Sequence, residues 1–270
     1  MKWDEKDHNW MICAYGESEY LEECLGSLLG QRVKSRVRIC TSTPNEHILG
    51  IAEKYGIEVL VNRGEGGISG DWNFALESGE SELVTLAHQD DLYEESYVEE
   101  MLARMNRAKE PILYFTNYGE IRKGEKVTEN RLLKVKRVML APVKAAPGKK
   151  WGQRMSLRFG NSICCPSITY RKSVMEGKRF GERFKSNLDW EMTERLSRET
   201  GEFVYCPSIQ MFHRIHEGST TSELLEKDLR GQEDFEMLRR FWPDGVAKVM
   251  SRAYASGEKS NKLQGKERVF

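Results

Sequence analysis

The chain has 270 residues, 39% of them hydrophobic and 31% charged, which is enough to bury the core of one large domain. Its 42 basic residues balance its 42 acidic residues, which argues against a nucleic-acid-binding protein. No apolar run approaches the roughly 20 residues that span a bilayer, and the first residues lack the apolar stretch of a signal peptide, so we expect a cytoplasmic protein.

The first half of the chain alternates short apolar strands with amphipathic helices. Strands are predicted at residues 10–14, 37–40, 57–61, 82–87 and 111–117. Helices are predicted at 18–30, around 48–52, at 68–76 and from about 94 to 106. This alternation is typical of βαβ units and predicts a mostly parallel sheet.

The second half departs from this rhythm. Lys and Arg crowd between Arg131 and Arg158 around apolar residues such as Leu132 and Val135, which gives a basic amphipathic stretch. Three interpretations fit it: a solvated face, a lid over a phosphate ligand, or a patch that docks on anionic lipid. Further elements are predicted as a strand at 162–169, a helix at 189–198, one or two strands within 203–212, a helix at 222–241 and a loose polar tail from about 256.

The most informative segment is the end of the fourth predicted strand, which runs into His88-Gln89-Asp90-Asp91. Carboxylates are costly to desolvate unless they are paired or metal-bound, and α/β proteins bind ligands at the carboxyl ends of their strands. The pair therefore suggests a divalent-cation site beside a phosphate-bearing substrate. In the alternative interpretation, Asp90 and Asp91 cap the helix predicted from Glu94.

The segment from Ile12 to Gln31 resembles the opening strand, loop and helix of the family 2 glycosyltransferases, and the resemblance extends over roughly Trp10 to Thr221. It implies an α/β fold of GT-A type, with a mostly parallel central sheet flanked by helices. It also implies a Rossmann-like nucleotide-sugar-binding half at 1–118, an acceptor-binding half at 119–241 and a partly loose C-terminal extension at 242–270.

The same resemblance implies where a sugar nucleotide binds. The loop after the first strand would line the base pocket, and the glycine-bearing loop before the acidic segment would approach phosphate, since glycine allows close backbone contact and a helix N-terminus favours anions. A packed aromatic side chain and a plain turn explain these two segments equally well when each is considered alone. The residues assigned to donor binding are Ala14, Tyr15, Glu17, Gly67, Asp71, Asn73, His88, Gln89, Asp90 and Arg214.

The metal and the base follow from two further motifs of the family. The acidic segment falls where the family has its Asp-x-Asp motif, which implies Mn²⁺ or Mg²⁺ held by Asp91 and by His216 of the segment 212–221. Asp189 resembles the Asp of the family's Glu-Asp motif, the general base of inverting transfer. Without the family, Asp189 is better explained as the N-cap of a helix.

The resemblance thus implies a metal-dependent, inverting glycosyltransferase that acts on a nucleoside-diphosphate sugar and a glycan or lipid-linked acceptor in polysaccharide or cell-surface glycan biosynthesis. It would work in the cytoplasm, with a peripheral contact to the inner face of the membrane under the lipid interpretation. Four residues depart from the pattern, namely Thr41, Ser42, His88 and Leu188. They support the alternative of an inactive relative that acts as a binding protein. A second alternative is a nucleotidyltransferase on a related fold. It would require a glycine-rich basic signature near the first strand, which Tyr15-Gly16-Glu17-Ser18 does not supply.

Overall fold

A computed structural model describes residues 2–216 and 229–252 of the chain. Within this part, nine strands form one sheet. The strands are β1 (His8–Ala14), β2 (Arg36–Thr41), β3 (Glu58–Val61), β4 (Leu83–His88), β5 (Leu92–Tyr93), β6 (Pro111–Arg122), β7 (Glu125–Val127), β8 (Thr169–Arg171) and β9 (Glu202–Ile215).

Helices connect and cover these strands. They are α1 (Leu21–Leu29), α2 (Glu46–Tyr55), α3 (Gly67–Ser78), α4 (Tyr97–Met105), α5 (Arg131–Met139), α6 (Ala141–Ala145), α7 (Lys150–Leu157), α8 (Lys172–Met175), α9 (Leu188–Leu196) and α10 (Leu229–Leu238). Residues 244–252 are also helical. No helix in the described ranges is long and apolar enough to cross a membrane.

The sheet has the strand order β3-β2-β1-β4-β8-β6-β9-β5, and β7 pairs with β6 beside this path. The strands β3, β2, β1 and β4 run parallel, joined by helical crossovers, and β6 runs parallel to β9. β8 pairs antiparallel with both β4 and β6. β5 pairs antiparallel with β9. The mostly parallel α/β sheet predicted from the alternation is confirmed.

The core lies on both faces of the sheet, because side chains of a strand alternate between its faces. Trp10 and Ile12 of β1 pack with α1, α2 and α4 in one cluster. Met11, on the same strand, packs in a second cluster with residues of α3, α7 and α9, including Trp190. All three β1 side chains are fully buried, which is why β1 reads as a continuous apolar run rather than an alternating one. One end of this sheet carries the site described below.

The helix after the acidic segment begins later than predicted. Short strand β5 follows Asp91 directly, and α4 starts only at Tyr97, with Ser96 at its N-cap. Asp90 and Asp91 therefore do not cap α4, and the capping interpretation of the pair is wrong. β5 forms because it pairs with β9, a partner more than a hundred residues away that local sequence does not reveal.

Three other predictions need correction. The strand predicted at 162–169 is wrong: a 3₁₀ turn at Cys165–Ser167 holds Pro166, which has no amide hydrogen for a strand ladder, and strand β8 starts only at Thr169. The strand predicted at 111–117 continues to Arg122. Of the helix predicted at 222–241, residues 229–238 are helical and 222–228 lie outside the described residues, as does the predicted tail.

The basic stretch folds into α5, α6 and α7. Leu133 and Leu140 are buried against the sheet, whereas Leu132, Val135 and Val138 are exposed, Val138 by 73%. The stretch therefore has two apolar faces, one that packs on the protein and one that faces solvent.

Candidate active site

The site lies where β1, β2 and β4 end side by side. Ala14 at the end of β1 pairs with Thr41 of β2, and the preceding residue, Cys13, pairs with His88 at the end of β4. The loops after these strands therefore meet at one edge of the sheet, the usual ligand crevice of α/β proteins. This edge is extended by β9, whose end is brought to the acidic segment by its pairing with β5.

The two carboxylate oxygens of Asp91 differ in their hydrogen bonds. The residue is fully buried. Its Oδ1 accepts hydrogen bonds from His213 Nδ1 at 2.9 Å and from the main-chain N–H of Arg214 at 3.0 Å. Its Oδ2 has no hydrogen-bond partner among the described residues and lies 3.9 Å from His88 Nδ1. A buried carboxylate oxygen without a partner is costly, so it marks a position that suits a cation.

His88, Asp90 and Asp91 form a group suited to a metal ion. Each offers one ligand atom, and these atoms all lie within 4.8 Å of one another. Burial lowers the pKa of His88 to about 4, so its imidazole is neutral at pH 7, the form that binds metals. Its ring stacks on Trp72, with centroids 5.2 Å apart and planes at 26°. The donor set of two carboxylates and one imidazole fits a divalent transition metal.

The end of β9 surrounds this group with positive and polar side chains. His216 Nε2 lies 2.9 Å from Asp90 Oδ2. Arg214 Nε donates to the main-chain oxygen of Asp90 at 2.9 Å, its guanidinium lies 4.2 Å from the Tyr20 ring centre, and it pairs with Glu23. His216 thus contacts Asp90 directly and lies beside the group formed with His88.

His213 is a residue of the site that the sequence analysis missed. Burial alone would lower the pKa of His213, but the charge of Asp91 and the hydrogen bond to it, with Asp90 nearby, raise the pKa above its ordinary value. The sequence shows only that His213 lies in a predicted strand, next to Arg214 and three residues before His216. It does not show which face of that strand meets the acidic segment.

The loop proposed for the nucleotide base is held by Gln89 and Thr43. Gln89 accepts from the Tyr15 N–H at 3.1 Å and donates to the Tyr15 main-chain oxygen at 2.9 Å. Gly16 adopts a positive φ of 61°, a conformation that glycine tolerates, and its N–H donates to Thr43 Oγ1 at 2.7 Å. The Tyr15 side chain is 63% exposed, so its ring is open to a flat ligand. Ala14 is buried below it, and Glu17 is exposed next to it.

The start of α3 places Asp71 at the same edge of the sheet. Asp71 accepts from Ser42 Oγ at 2.9 Å and from Asn62 Nδ2 at 2.8 Å, which connects the loops after β2 and β3. Gly67, at the start of the helix, has a φ of 83°. Asn73 is buried, and both ends of its side-chain amide are bonded to the main chain of Phe180. Asn73 therefore braces the 180 region against α3.

Asp189 lies in the first turn of α9, not at its N-cap. The N-cap residue is Asn187, whose side chain makes no capping hydrogen bond, so the N-cap interpretation of Asp189 is wrong. Asp189 Oδ2 accepts from Asn161 Nδ2 at 2.6 Å, and Oδ1 accepts from the Trp190 N–H at 2.8 Å. Burial raises the pKa of Asp189, opposed by these two hydrogen bonds and by the charges of Lys136 and Arg230. A carboxyl with a raised pKa is a better proton acceptor than an ordinary one.

Comparison with known families decides the identity. The model of Glycosyl transferase family 2 matches residues 10–144, half of the chain. This chain belongs to glycosyl transferase family 2. A comparison with curated proteins found no match.

Solved structures confirm the GT-A fold of this family 2 chain. Residues 1–349 of TarS from S. aureus, in complex with UDP-GlcNAc, superpose with a TM-score of 0.63 at 17% identity, over 93% of this chain and 70% of that one. The mannosyltransferase PcManGT from Pyrobaculum calidifontis, in complex with GDP-Man and Mn²⁺, superposes with a TM-score of 0.63 at 12% identity, over 92% of this chain and 69% of that one. At such low identities the likeness concerns the fold alone.

Lys136 lies near enough to Asp189 for its charge to act on that carboxyl, and the sequence analysis did not single it out within the basic stretch. Lys136 is half-buried, and its Nζ lies 5.1 Å from the Tyr118 ring centre. Burial raises the pKa of Asp189 and of Cys164, and the charge of Lys136 opposes this rise in both. The sequence did carry a signal for Lys136. It lies at helical spacing between the apolar residues Leu133 and Leu140, on the face of α5 that packs on the protein, and lysine is uncommon on such a buried face.

Proposed function

We propose that this family 2 protein transfers a sugar, with inversion, from a nucleoside-diphosphate sugar to a hydroxyl group of a glycan or lipid-linked acceptor. The supporting observation is the acidic segment of this family 2 chain, where His88, Asp90 and Asp91 offer ligand atoms within 4.8 Å of one another and Asp91 Oδ2 is buried without a hydrogen-bond partner among the described residues. Such a group suits a cation that holds a diphosphate. Asp189, held by Asn161 through a 2.6 Å hydrogen bond, supplies a second carboxylate for the acceptor.

The donor would lie along the edge formed by the Tyr15 loop, Asp71 and the acidic segment. TarS and PcManGT, which share the fold, bind UDP-GlcNAc and GDP-Man respectively, and we assign the same class of ligand to this chain. The exposed Tyr15 ring suits a nucleotide base. Arg214 and Lys136 suit the diphosphate, since charge-assisted contacts to phosphate are strong.

A divalent cation is part of the proposal. His88, Asp90 and Asp91 would hold Mn²⁺ or Mg²⁺, and the unpartnered Oδ2 of Asp91 supports this. The bound ion would offset the charge of the departing nucleoside diphosphate. His216, which the resemblance implies as a metal ligand, would instead hold Asp90 in place through its 2.9 Å contact.

Asp189 would act as the general base. The acceptor hydroxyl oxygen bonds to the anomeric carbon as the bond from that carbon to the diphosphate oxygen breaks, and the hydroxyl proton passes to the Asp189 carboxylate. Attack from the face opposite the leaving group inverts the anomeric centre. Asn161 would hold the carboxylate in place through its 2.6 Å hydrogen bond. The acceptor would approach through the region from about Asn161 to Asp189, which belongs to the acceptor-binding half proposed for 119–241.

A catalytically inactive binding protein is the second candidate. It is favoured by the sequence departures at Thr41-Ser42, His88 and Leu188. One experiment separates the two candidates: the protein is incubated with a panel of UDP, GDP, dTDP and CDP sugars and Mn²⁺, and release of nucleoside diphosphate is measured beside thermal stabilisation by each nucleotide. Turnover of any donor that also raises Tm supports the enzyme. Stabilisation without turnover of that donor, with a panel of hydroxyl acceptors present, supports the binding protein.

A cytoplasmic position with a peripheral membrane contact completes the proposal. The exposed apolar residues Leu132, Val135 and Val138 lie on one side of α5 among the exposed basic residues Arg131 and Lys134. Apolar side chains flanked by Lys and Arg suit the surface of an anionic bilayer. A lipid-linked acceptor would then be presented at the side of the molecule that carries α5.

A further inference from the structure

We propose that His88 makes the cation site of this protein select Mn²⁺ or a later transition metal over Mg²⁺. The inference rests on the proposed metal dependence and adds the identity of the ion. It follows from the chemistry of one ligand: where the family motif begins with an acidic residue, this chain supplies an imidazole nitrogen.

The geometry directs that nitrogen at the open carboxylate oxygen. His88 Nδ1 lies 3.9 Å from Asp91 Oδ2, which is fully buried and has no hydrogen-bond partner among the described residues. The His88 ring is fixed from outside by its stacking on Trp72, and its main-chain oxygen accepts the Cys24 thiol hydrogen at 3.2 Å. The fold therefore holds the two ligand atoms 3.9 Å apart.

The other groups around Asp91 support the site without competing for the ion. His213 and the Arg214 N–H both bind Oδ1, which fixes the carboxylate plane and leaves Oδ2 free. Such outer contacts orient a ligand and tune the metal. The Nδ1 atom of His213 is thus already hydrogen-bonded to Asp91.

The choice of ion follows from ligand softness. Mg²⁺ demands oxygen ligands in near-ideal octahedral geometry and keeps several waters. Imidazole suits Zn²⁺, Co²⁺ and Ni²⁺, and affinity for a mixed nitrogen and oxygen site rises along the series from Mn²⁺. Replacing an oxygen ligand with the His88 nitrogen therefore weakens the binding of Mg²⁺ relative to that of Mn²⁺. The difference between Mg²⁺ and Co²⁺ or Zn²⁺ should be larger still.

The test measures metal binding without turnover. Titration calorimetry on the metal-free protein compares Mn²⁺, Co²⁺ and Mg²⁺, and pulsed electron paramagnetic resonance of the Mn²⁺ complex detects a directly bound nitrogen. We expect Mn²⁺ to bind more tightly than Mg²⁺ and to show nitrogen modulation. In His88→Asp the ratio of Mn²⁺ to Mg²⁺ affinity should fall by at least about tenfold, the scale of losses on perturbing a metal site, and the modulation should vanish.

Two further variants make the result specific. His213→Asn should keep the nitrogen modulation, and His47→Asn, whose imidazole contacts the Ser18 main-chain oxygen instead, should change nothing. Equal affinity for Mg²⁺ and Mn²⁺, or modulation that survives His88→Asp, would overturn the inference while leaving metal dependence intact. If no divalent ion binds, the proposed metal dependence itself fails.

A second inference concerns α10 and rests on the proposed role of Asp189. We infer that Glu233 is a positioning residue for the base. Its carboxylate accepts from three consecutive main-chain N–H groups, those of Lys185 at 2.6 Å, Ser186 at 2.8 Å and Asn187 at 3.0 Å, and also from the Ser186 hydroxyl at 2.8 Å.

This carboxylate fixes the start of the base helix. Glu233 is only 7% exposed, and Asn187, the last residue it binds, is the N-cap of α9, two positions before Asp189. Next to it, the Asn187 amide donates to Asp234 Oδ1 at 2.7 Å. The loop before Asp189 is thus held by a helix more than forty residues further along the chain.

The effect expected from loss of this anchor is a misplaced base. In Glu233→Gln we expect kcat to fall by at least about tenfold, because small displacements of reacting groups cost up to a hundredfold, whereas KM for the donor should change less than twofold. The acid limb of the kcat against pH profile should move to lower pH, since a looser loop hydrates Asp189.

Controls separate positioning from folding. Glu236→Gln removes an acidic residue of the same helix that pairs with Arg183 at 2.7 Å on the surface, and its kcat and pH profile should match wild type. Ser186→Ala deletes one of the four hydrogen bonds and should shift kcat in the same direction by less. Normal kcat in a folded Glu233→Gln, or an equal loss in Glu236→Gln, would overturn the inference. If Glu233→Gln does not fold, an unchanged kcat in Ser186→Ala overturns it.

Discussion

Asparagine in place of Asp189 removes the proposed base while keeping almost the same side-chain shape. The carbonyl oxygen of Asn can still accept the Trp190 N–H, which now bonds Oδ1 at 2.8 Å. The new amide group would face Asn161 Nδ2, now 2.6 Å from Oδ2, so two donors oppose one another. Rotating the Asn161 amide relieves this but gives up its 3.3 Å contact with the Ile163 N–H.

The two expected losses differ in size. One weakened hydrogen bond costs about 1 kcal/mol of stability, and each kcal/mol lowers the Tm of a large domain by about 2–4 °C. Loss of a positioned general base lowers kcat by about 10²–10⁴-fold, or about 3–5 kcal/mol of barrier. The Asp189→Asn protein should therefore remain folded, bind the donor normally and turn over very slowly.

The assay compares Asp189→Asn with Glu191→Gln on the same donor and acceptor, with donor affinity by calorimetry and folding by thermal melting. Glu191 is the matched control because it lies two residues on, around the helix, where it pairs with Arg240 at 3.2 Å. Near-normal turnover in Asp189→Asn, or a comparable loss confined to Glu191→Gln, would refute the assignment of the base. Collapse of the fold in Asp189→Asn would make Asp189 structural.

Three more predictions follow from the structure. Nucleoside diphosphate should bind weakly in EDTA, and Asp91→Asn should abolish the metal dependence measured by calorimetry; because Asp91 is fully buried, this variant should also lose stability. Burial lowers the pKa of His8 from 6.5 to about 3, so between pH 6.5 and pH 3 the unfolded chain binds a proton at His8 and the folded chain does not. The free energy of unfolding at pH 5 should therefore be lower than at pH 7 by about 2 kcal/mol from His8 alone. Urea unfolding at a series of pH values that shows no loss of stability on acidification would refute this prediction. Vesicles with anionic lipid should sediment more protein than neutral vesicles at low salt, and Val135→Ser with Val138→Ser should reduce this; equal sedimentation would leave the basic stretch as a solvated face or a lid.

Local pattern determined the elements of the first half and their order. Strands such as β1 and β4 are continuous apolar runs because both their faces are buried, and the helices between them carry a single apolar face. Alternation of the two then restricts the sheet to parallel crossovers. Failures came where a distant partner decides: β5 is two residues long and exists because of β9, and β6 continues to Arg122 because β9 and β7 pair with its end.

The chemistry of the site divides in the same way. The sequence by itself placed Asp90, Asp91 and Asp189 after a strand and at a helix start, since residue type and the nearest element are local properties. Only the tertiary structure decided that Asp91 has one satisfied and one open oxygen, that His213 bonds Asp91, and that Glu233 holds the loop before Asp189. Each of these depends on contacts between segments far apart in the chain, and the direction in which a side chain points across such a contact is set by packing rather than by neighbours in sequence.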